Sequence, residues 1–313
     1  MTDVEMLRVA RMDLEKANRS PNTRRAYKSD WKYFAAWCCE MGYNVFPATS
    51  ETLASYATSM ISSGLRISTT ARRVAAVAFW HRVGGASVNP FNDDVKLVIT
   101  GARRKLKERS RGKLALSVPE LRSISKAPLK GGSPLDVRDR AMLILGFAAG
   151  LRRSEMVALD VGDVAFYDPG IVLQIRYSKT DQTAQGREVA VFAGKRPETC
   201  PVRALRDWLE IRGYSDGPLF VCFQSSSVLV PTNRRMQSRI VHLVVKRSVS
   251  LIGLPKAGYG AHSLRVGFVT SAAASGASAL AIMQVTGHKN VQNVQRYCRA
   301  GERFTLHPLK DLL

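Results

Sequence analysis

The sequence predicts a mainly α protein built from two domains, and three observations carry that prediction. Its 313 residues exceed the usual size of one domain. Helical apolar spacing dominates, and only the stretch 171–192 reads as strands. The segment ARRKLKERSRGKLALS (102–117) sets seven cations against one acid, a density that resists burial and marks a linker. The expected division is a helical domain over 1–105, a basic linker over 106–116 and a larger unit over 117–313, mostly helical with one small antiparallel sheet.

In the first domain, Ser20-Pro21-Asn22 is a helix start signal. Tyr27, Trp31, Phe34, Cys38 and Met41 then follow a 4-3-4-3 spacing and share one face, so they predict a core stripe. Arg24, Arg25, Lys28 and Lys32 lie mostly off it, on a side that is either solvated or laid against DNA backbone. A second helix is expected over Ser50–Ser62, with Leu53, Tyr56, Met60 and Ile61 apolar and Gly64 as the stop. A third is expected over Ser68–Val83, stopped by Gly84-Gly85. It carries Val74, Val77, Ala78 and His81 on one side, His81 being read as structural, and Arg72 and Arg73 as DNA contacts. Asn89-Pro90 marks a turn, and a fourth helix is expected from Asp93 to about Lys105. The linker cations Arg103, Arg104, Lys105, Lys107, Arg109 and Arg111 are placed to cross a phosphate backbone.

In the second domain, Pro119-Glu120-Leu121 opens a helix, and DVRDRAMLILGFAAG (136–150) is a strongly apolar helix ended by Gly150. IVLQIRYSK and GREVAVF are two β-rich runs joined by a polar turn, which predicts a hairpin. Helices are expected near 200–212, 232–252, 262–275, 278–286 and 291–299.

Charge narrows the function. The chain has 47 Lys+Arg against 25 Asp+Glu, a formal net charge of +22. Such an excess is costly in self-repulsion unless a polyanion neutralises it, which points to nucleic acid. With 45% hydrophobic residues there is ample material for two cores, so a disordered chain is excluded. The five cysteines are odd in number and form no CxxC pair, so neither a disulfide framework nor a zinc site fits. The five histidines, His81, His242, His262, His288 and His307, form no HxxxH pair, and no metal or other cofactor is implied. The N-terminus lacks the apolar core of a signal peptide, and no run of about 18 apolar residues occurs. A cytoplasmic protein, nucleoid-associated when on DNA and not in a membrane, is expected.

Four motifs occur in order: AGLRRSE (149–155), YSKTD (177–181), HSLR (262–265) and TGHKNVQNVQRY (286–297). With them the sequence resembles the tyrosine recombinases, the phage-integrase-like family. That family reads G-L-R-x-S-E, a hairpin Lys, H-x-x-R, then G-H with a Tyr nine residues after the His. The matching positions are Arg152, Lys179, His262, Arg265, His288 and Tyr297, and the likeness spans nearly the whole chain. The G-L-R register selects Arg152 over Arg153. Tyr297, alone among Tyr297, Tyr259, Tyr177 and Tyr214, has the G-H spacing before it. Lys195, also near the sheet, remains the alternative to Lys179.

The residue chemistry agrees. A tyrosine oxygen can attack a phosphodiester, conserving the bond energy in a phosphotyrosine and releasing a 5′-hydroxyl. Planar, permanently charged guanidiniums suit the charge that spreads over the non-bridging oxygens, so Arg152 and Arg265 form a clamp and His288 adds a hydrogen bond. An unperturbed tyrosine has a pKa of about 10, so it needs a proton acceptor, for which His262 is the candidate. Lys179 is the candidate proton donor to the leaving oxygen. Glu155, three residues after Arg152, orients the site.

The resemblance implies more. The first domain is expected to be a helical core-binding domain of the SAM-like type, and the second the mixed α/β catalytic domain. The reaction it implies is metal-independent, passing through a 3′-phosphotyrosine and a Holliday junction. The substrate it implies is double-stranded DNA with an inverted-repeat site, bound by a dimer per site and a homotetramer in all. The apolar tail ERFTLHPLKDLL (302–313) is expected to dock on a neighbouring subunit. About 20 residues precede the first helix, so the extra arm-binding domain of larger relatives is expected to be absent. Two alternatives stand beside this: an enzyme of the same chemistry, such as a type IB topoisomerase or a telomere resolvase, and a DNA-binding regulator with a dead site.

Overall fold

The computed structural model describes residues 20–86, 93–108, 112–127, 132–176 and 186–301, the last four by their backbone alone. The first 19 residues, Arg109, Arg111, Tyr177, Lys179 and the tail 302–313 lie outside them. The chain divides into two compact units, Met1–Arg111 and Gly112–Leu313.

The described part of the first unit is helical: α1 (Pro21–Met41), α2 (Ser50–Ser62), α3 (Ile67–Val83) and α4 (Asp93–Leu106). Ser20 caps α1 by accepting from Thr23 N at 3.3 Å, and Gly42 at φ 75° ends it. The left-handed turn that only glycine adopts easily carries the chain away there. Met41, expected in the core stripe, is consequently 57% exposed at the helix end. Tyr27, Phe34 and Cys38 are buried as expected, Phe34 and Cys38 packed with Leu53, Tyr56, Val74 and Val77 and Tyr27 edge-on to Phe79. His81 is fully buried: it accepts from Ala48 N at 2.9 Å and donates to Val77 O at 2.9 Å, which makes it structural. Buried Asp30 of α1 pairs with both Arg72 and Arg73 of α3.

The second unit begins with backbone bonds from Leu114 to Gly258 O and from Leu116 to Ser263 O, both 3.0 Å, which lay Leu116 in its core. Then follow α5 (Val118–Lys126), α6 (Pro134–Ala148), α7 (Arg153–Ala158), β1 (Val164–Phe166), β2 (Gly170–Ile175), β3 (Arg187–Phe192), α8 (Pro201–Arg212), β4 (Val221–Phe223), β5 (Pro231–Arg235), α9 (Ser238–Leu251), α10 (His262–Ala274), α11 (Ala279–Thr286) and α12 (Val291–Gly301). The second half of α6, from Ala141 on, is apolar all round because it is central, with Met142, Leu143, Ile144 and Leu145 buried against α8 and α10. Each such side chain contributes roughly 1.5–3 kcal/mol. The antiparallel sheet has the order β1-β2-β3, with Ile175 opposite Arg187 where the hairpin leaves it.

The helix expected over 232–252 begins only at Ser238, because 231–235 pairs with 221–223 in a second, two-stranded sheet. The partner strand lies about ten residues away, so periodicity within the segment carried no sign of it.

Candidate active site

Helix α6 ends at Ala148, and Gly150, at a φ of +56°, then turns the chain sharply. A side chain there would meet Thr286 Cγ2 at 2.9 Å and Phe268 at 3.0 Å, so the glycine of G-L-R is required twice over. The turn presents Arg152 as the cap of α7. Its backbone N–H donates to Glu155 Oε2 at 3.0 Å, and its guanidinium reaches Glu155 Oε1 at 2.6 Å and Gly287 O at 3.5 Å.

Helix α10 supplies His262 and, one turn later, Arg265. Arg265 is 1% exposed and donates through Nη1 to Gly150 O at 2.8 Å. The same glycine thus positions both arginines. The second arm, Arg265 Nη2, is buried and has no hydrogen-bond partner among the described residues. A buried, unpaired guanidinium N–H costs free energy unless something comes to accept from it, and an anionic oxygen is the natural acceptor. Burial, then the Arg152 and Arg187 guanidiniums, push Arg265 down to about 9 against the pull of Glu155 and Tyr297, so it keeps its charge at neutral pH.

Helix α11 ends at Gly287, left-handed at φ 65°, and the next residue is His288. Burial, then Arg265, Arg152 and His262, push the His288 imidazole down to about 4 despite Glu155. His262 is depressed in the same order of causes, burial first and then Arg265 and Arg152, although its own ring sits at the open rim. Tyr297 projects from α12 onto the small core of Val269, Ala273, Ile282 and Val294, and its ring meets His262 edge-on at 6.5 Å between centroids. Arg152, Glu155, His262, Arg265, His288 and Tyr297 therefore come together. Lys179 lies outside the described residues.

Sequence reasoning missed Arg187. From β3 it donates to Glu155 Oε2 at 3.0 Å and to Val285 O at 3.4 Å. A Cβ on Gly287 would lie 2.9 Å from its Nη1. Burial works to raise the Glu155 carboxyl, but Arg187 and Arg152 outweigh it and hold Glu155 below the usual carboxylate range. The signal was present: Arg187 is in phase with inward-facing Val189 and Val191, so the period of two put a cation on the buried face.

Of the residues expected to touch DNA, Arg24, Arg25, Lys28, Arg103, Arg104, Lys105 and Lys107 are exposed. Arg72 and Arg73 are already engaged by Asp30, and Arg73 also lies 4.4 Å over the Tyr33 ring. Among the described residues no His/Cys/Asp/Glu group is placed to hold a metal ion, and no helix is long and apolar enough to cross a membrane.

The site sets a pH dependence for the fold. Because His288 is depressed in the folded chain, the unfolded chain binds more protons between the ordinary His range and about pH 4. Stability is therefore complete above that range and is lost as pH falls through it. Glu155, also depressed, adds a further loss at lower pH. We expect denaturant midpoints to show the chain less stable at pH 5 than at pH 7.5 by on the order of 1–2 kcal/mol, allowing for partial exposure. His288→Gln should remove much of that difference; an unchanged difference would contradict this account.

Residues 115–303 match the model of the phage integrase family. An integrase/recombinase XerD homologue from Selenomonas ruminantium is 34% identical over 302 residues, covering 94% of this chain and 86% of its own. The tyrosine recombinase XerC of Pelobacter propionicus is 28% identical over 94% of this chain and 90% of its own. Among solved structures, the Tn1549 transposon integrase in complex with transposon right end DNA superimposes with a TM-score of 0.65 at 16% identity, over 95% of this chain and 98% of that one.

Proposed function

The chain belongs to the phage integrase family and is a tyrosine site-specific recombinase, and from that premise we propose how its own residues cut and rejoin DNA. The reaction of the family breaks a DNA strand by forming a 3′-phosphotyrosine, exchanges strands through a Holliday junction and needs no high-energy cofactor. Arg152 and Arg265 clamp the two non-bridging oxygens of the scissile phosphate, and His288 contacts the same phosphate. The observation that carries this reading is the buried Nη2 of Arg265, without a hydrogen-bond partner among the described residues, beside Arg152, His262, His288 and Tyr297. Tyr297 Oη attacks phosphorus while His262 takes its proton, and Lys179 returns a proton to the leaving 5′-oxygen. Glu155 and Arg187 hold Arg152 in place.

Double-stranded DNA with an inverted-repeat site is the proposed substrate. Exposed Arg24, Arg25 and Lys28 on α1, together with Arg103, Arg104, Lys105 and Lys107, supply phosphate contacts from the first unit, and Arg109 and Arg111 continue them. Two protomers bind one site and four complete the synapse, with 302–313 reaching a neighbour in a ring.

Selection from random duplexes should enrich an inverted repeat. A supercoiled plasmid carrying two direct copies of it should be resolved into two circles in EDTA. Relaxation of any supercoiled DNA without resolution would overturn the proposal in favour of a topoisomerase.

A further inference from the structure

Thr286 is fully buried, one residue ahead of Gly287. Its hydroxyl lies 2.7 Å from Ile282 O and 2.7 Å from His288 Nδ1. A hydroxyl has one proton to give, and a carbonyl can only accept. The proton therefore goes to Ile282, since the alternative sets two oxygen lone pairs against each other in a buried place. Thr286 Oγ1 is left with only lone pairs to offer His288, so Nδ1 must be the donor. The neutral ring then carries its hydrogen on Nδ1 and a bare lone pair on Nε2. A bare Nε2 cannot donate to a phosphate oxygen.

We propose that Thr286 is a positioning residue for DNA cleavage: it locks His288 as the Nδ1–H tautomer, so that His288 engages the scissile phosphate only as an imidazolium, formed by taking up one proton from solvent as DNA enters the site. This rests on the reading of the Tyr297 site given above. The groups around His288 explain why the proton is absent before DNA arrives and stays afterwards. Arg265 and His262 face it from α10, Arg152 and Glu155 from the start of α7, and Arg187 from β3 beside Gly287; Tyr297 of α12 lies against His262, and Lys289 follows His288 in the chain and is exposed. Without DNA, burial and then the cations outweigh Glu155 and keep the ring neutral. A phosphodiester brings one negative charge into the site, and the transition state develops more, and both favour the imidazolium. The proton leaves again when DNA is released, and no covalent bond of His288 changes.

The tautomer is read directly by ¹⁵N NMR of histidine rings in the DNA-free chain, with His288→Gln for assignment. We expect His288 to be protonated at Nδ1 and bare at Nε2; a ring protonated at Nε2 overturns the proposal. The second arm is single-turnover cleavage of a nicked site against pH. The wild-type chain and Thr286→Ser should lose rate on the alkaline side by about tenfold per pH unit as the imidazolium deprotonates. In Thr286→Val the ring is free to carry its hydrogen on Nε2 and donate while neutral, so that limb should flatten. Identical profiles for wild type and Thr286→Val overturn the proposal even though adducts form. No adduct in the wild-type chain would instead count against the underlying site, and the NMR result then decides the tautomer alone. Should Thr286→Val fail to fold, the wild-type tautomer and Thr286→Ser carry the test.

Discussion

Arg265→Met is expected to slow covalent DNA cleavage by about 10³- to 10⁴-fold while leaving site affinity within about tenfold. The guanidinium is buried and fixed by Gly150 O through one arm, so the other is already aimed before substrate arrives. A donor that needs no reorganisation is worth most where charge develops in the transition state, and least in ground-state binding. Methionine fills most of the volume, and it removes a buried cation that Arg152 and Arg187 both repel. The variant should therefore stay folded, with little loss of thermal stability. Arg265→Lys keeps the charge but not the fork, and should recover only part of the rate. Cleavage by Arg265→Met within tenfold of wild type would remove Arg265 from the clamp.

Tyr297→Phe is expected to have the larger effect, lowering adduct formation by at least about 10⁴-fold. The substitution deletes one oxygen and keeps the ring that packs on Val269, Ile282 and Val294. DNA binding and folding should therefore be unchanged. The other tyrosines make useful controls. Tyr259 donates to Glu120 Oε1 at 2.9 Å, and burial, then Glu120, push its phenol up to about 12. A proton held that firmly suits a structural bond, so Tyr259→Phe should cleave as wild type does, at some loss of stability. Tyr214 is exposed and hydrogen-bonded to Glu210, and Tyr214→Phe should also be silent.

How much of this was legible in the sequence follows from the range of each determinant. The four motifs are local, and local geometry turns them into a site: a helix turn sets His262 against Arg265, and left-handed glycines precede both Arg152 and His288. The start of α1 and the glycine stops after α2 and α3 were legible for the same reason. What stayed hidden depends on partners distant in sequence. Arg187 gains its meaning only when β3 folds beside Glu155, although its phase in the strand pointed inward. Thr286 looks like an ordinary helix end until its two hydrogen bonds are seen. The strand 231–235 needs 221–223 to exist at all. Arg72 and Arg73 read as free cations on a basic chain, but buried Asp30 engages both. Met41 fitted the helical period and lost its burial to the turn that follows it.

The proposed reaction joins Tyr297 covalently to DNA. A nicked duplex carrying the selected site, incubated with the protein in EDTA, traps that intermediate because the short leaving strand diffuses away. Digestion of the trapped complex and mass spectrometry then identify the peptide that carries the nucleotide. The adduct is expected on Tyr297, formed in EDTA and absent from Tyr297→Phe. An adduct on another residue, or none on a site the protein demonstrably binds, would contradict it.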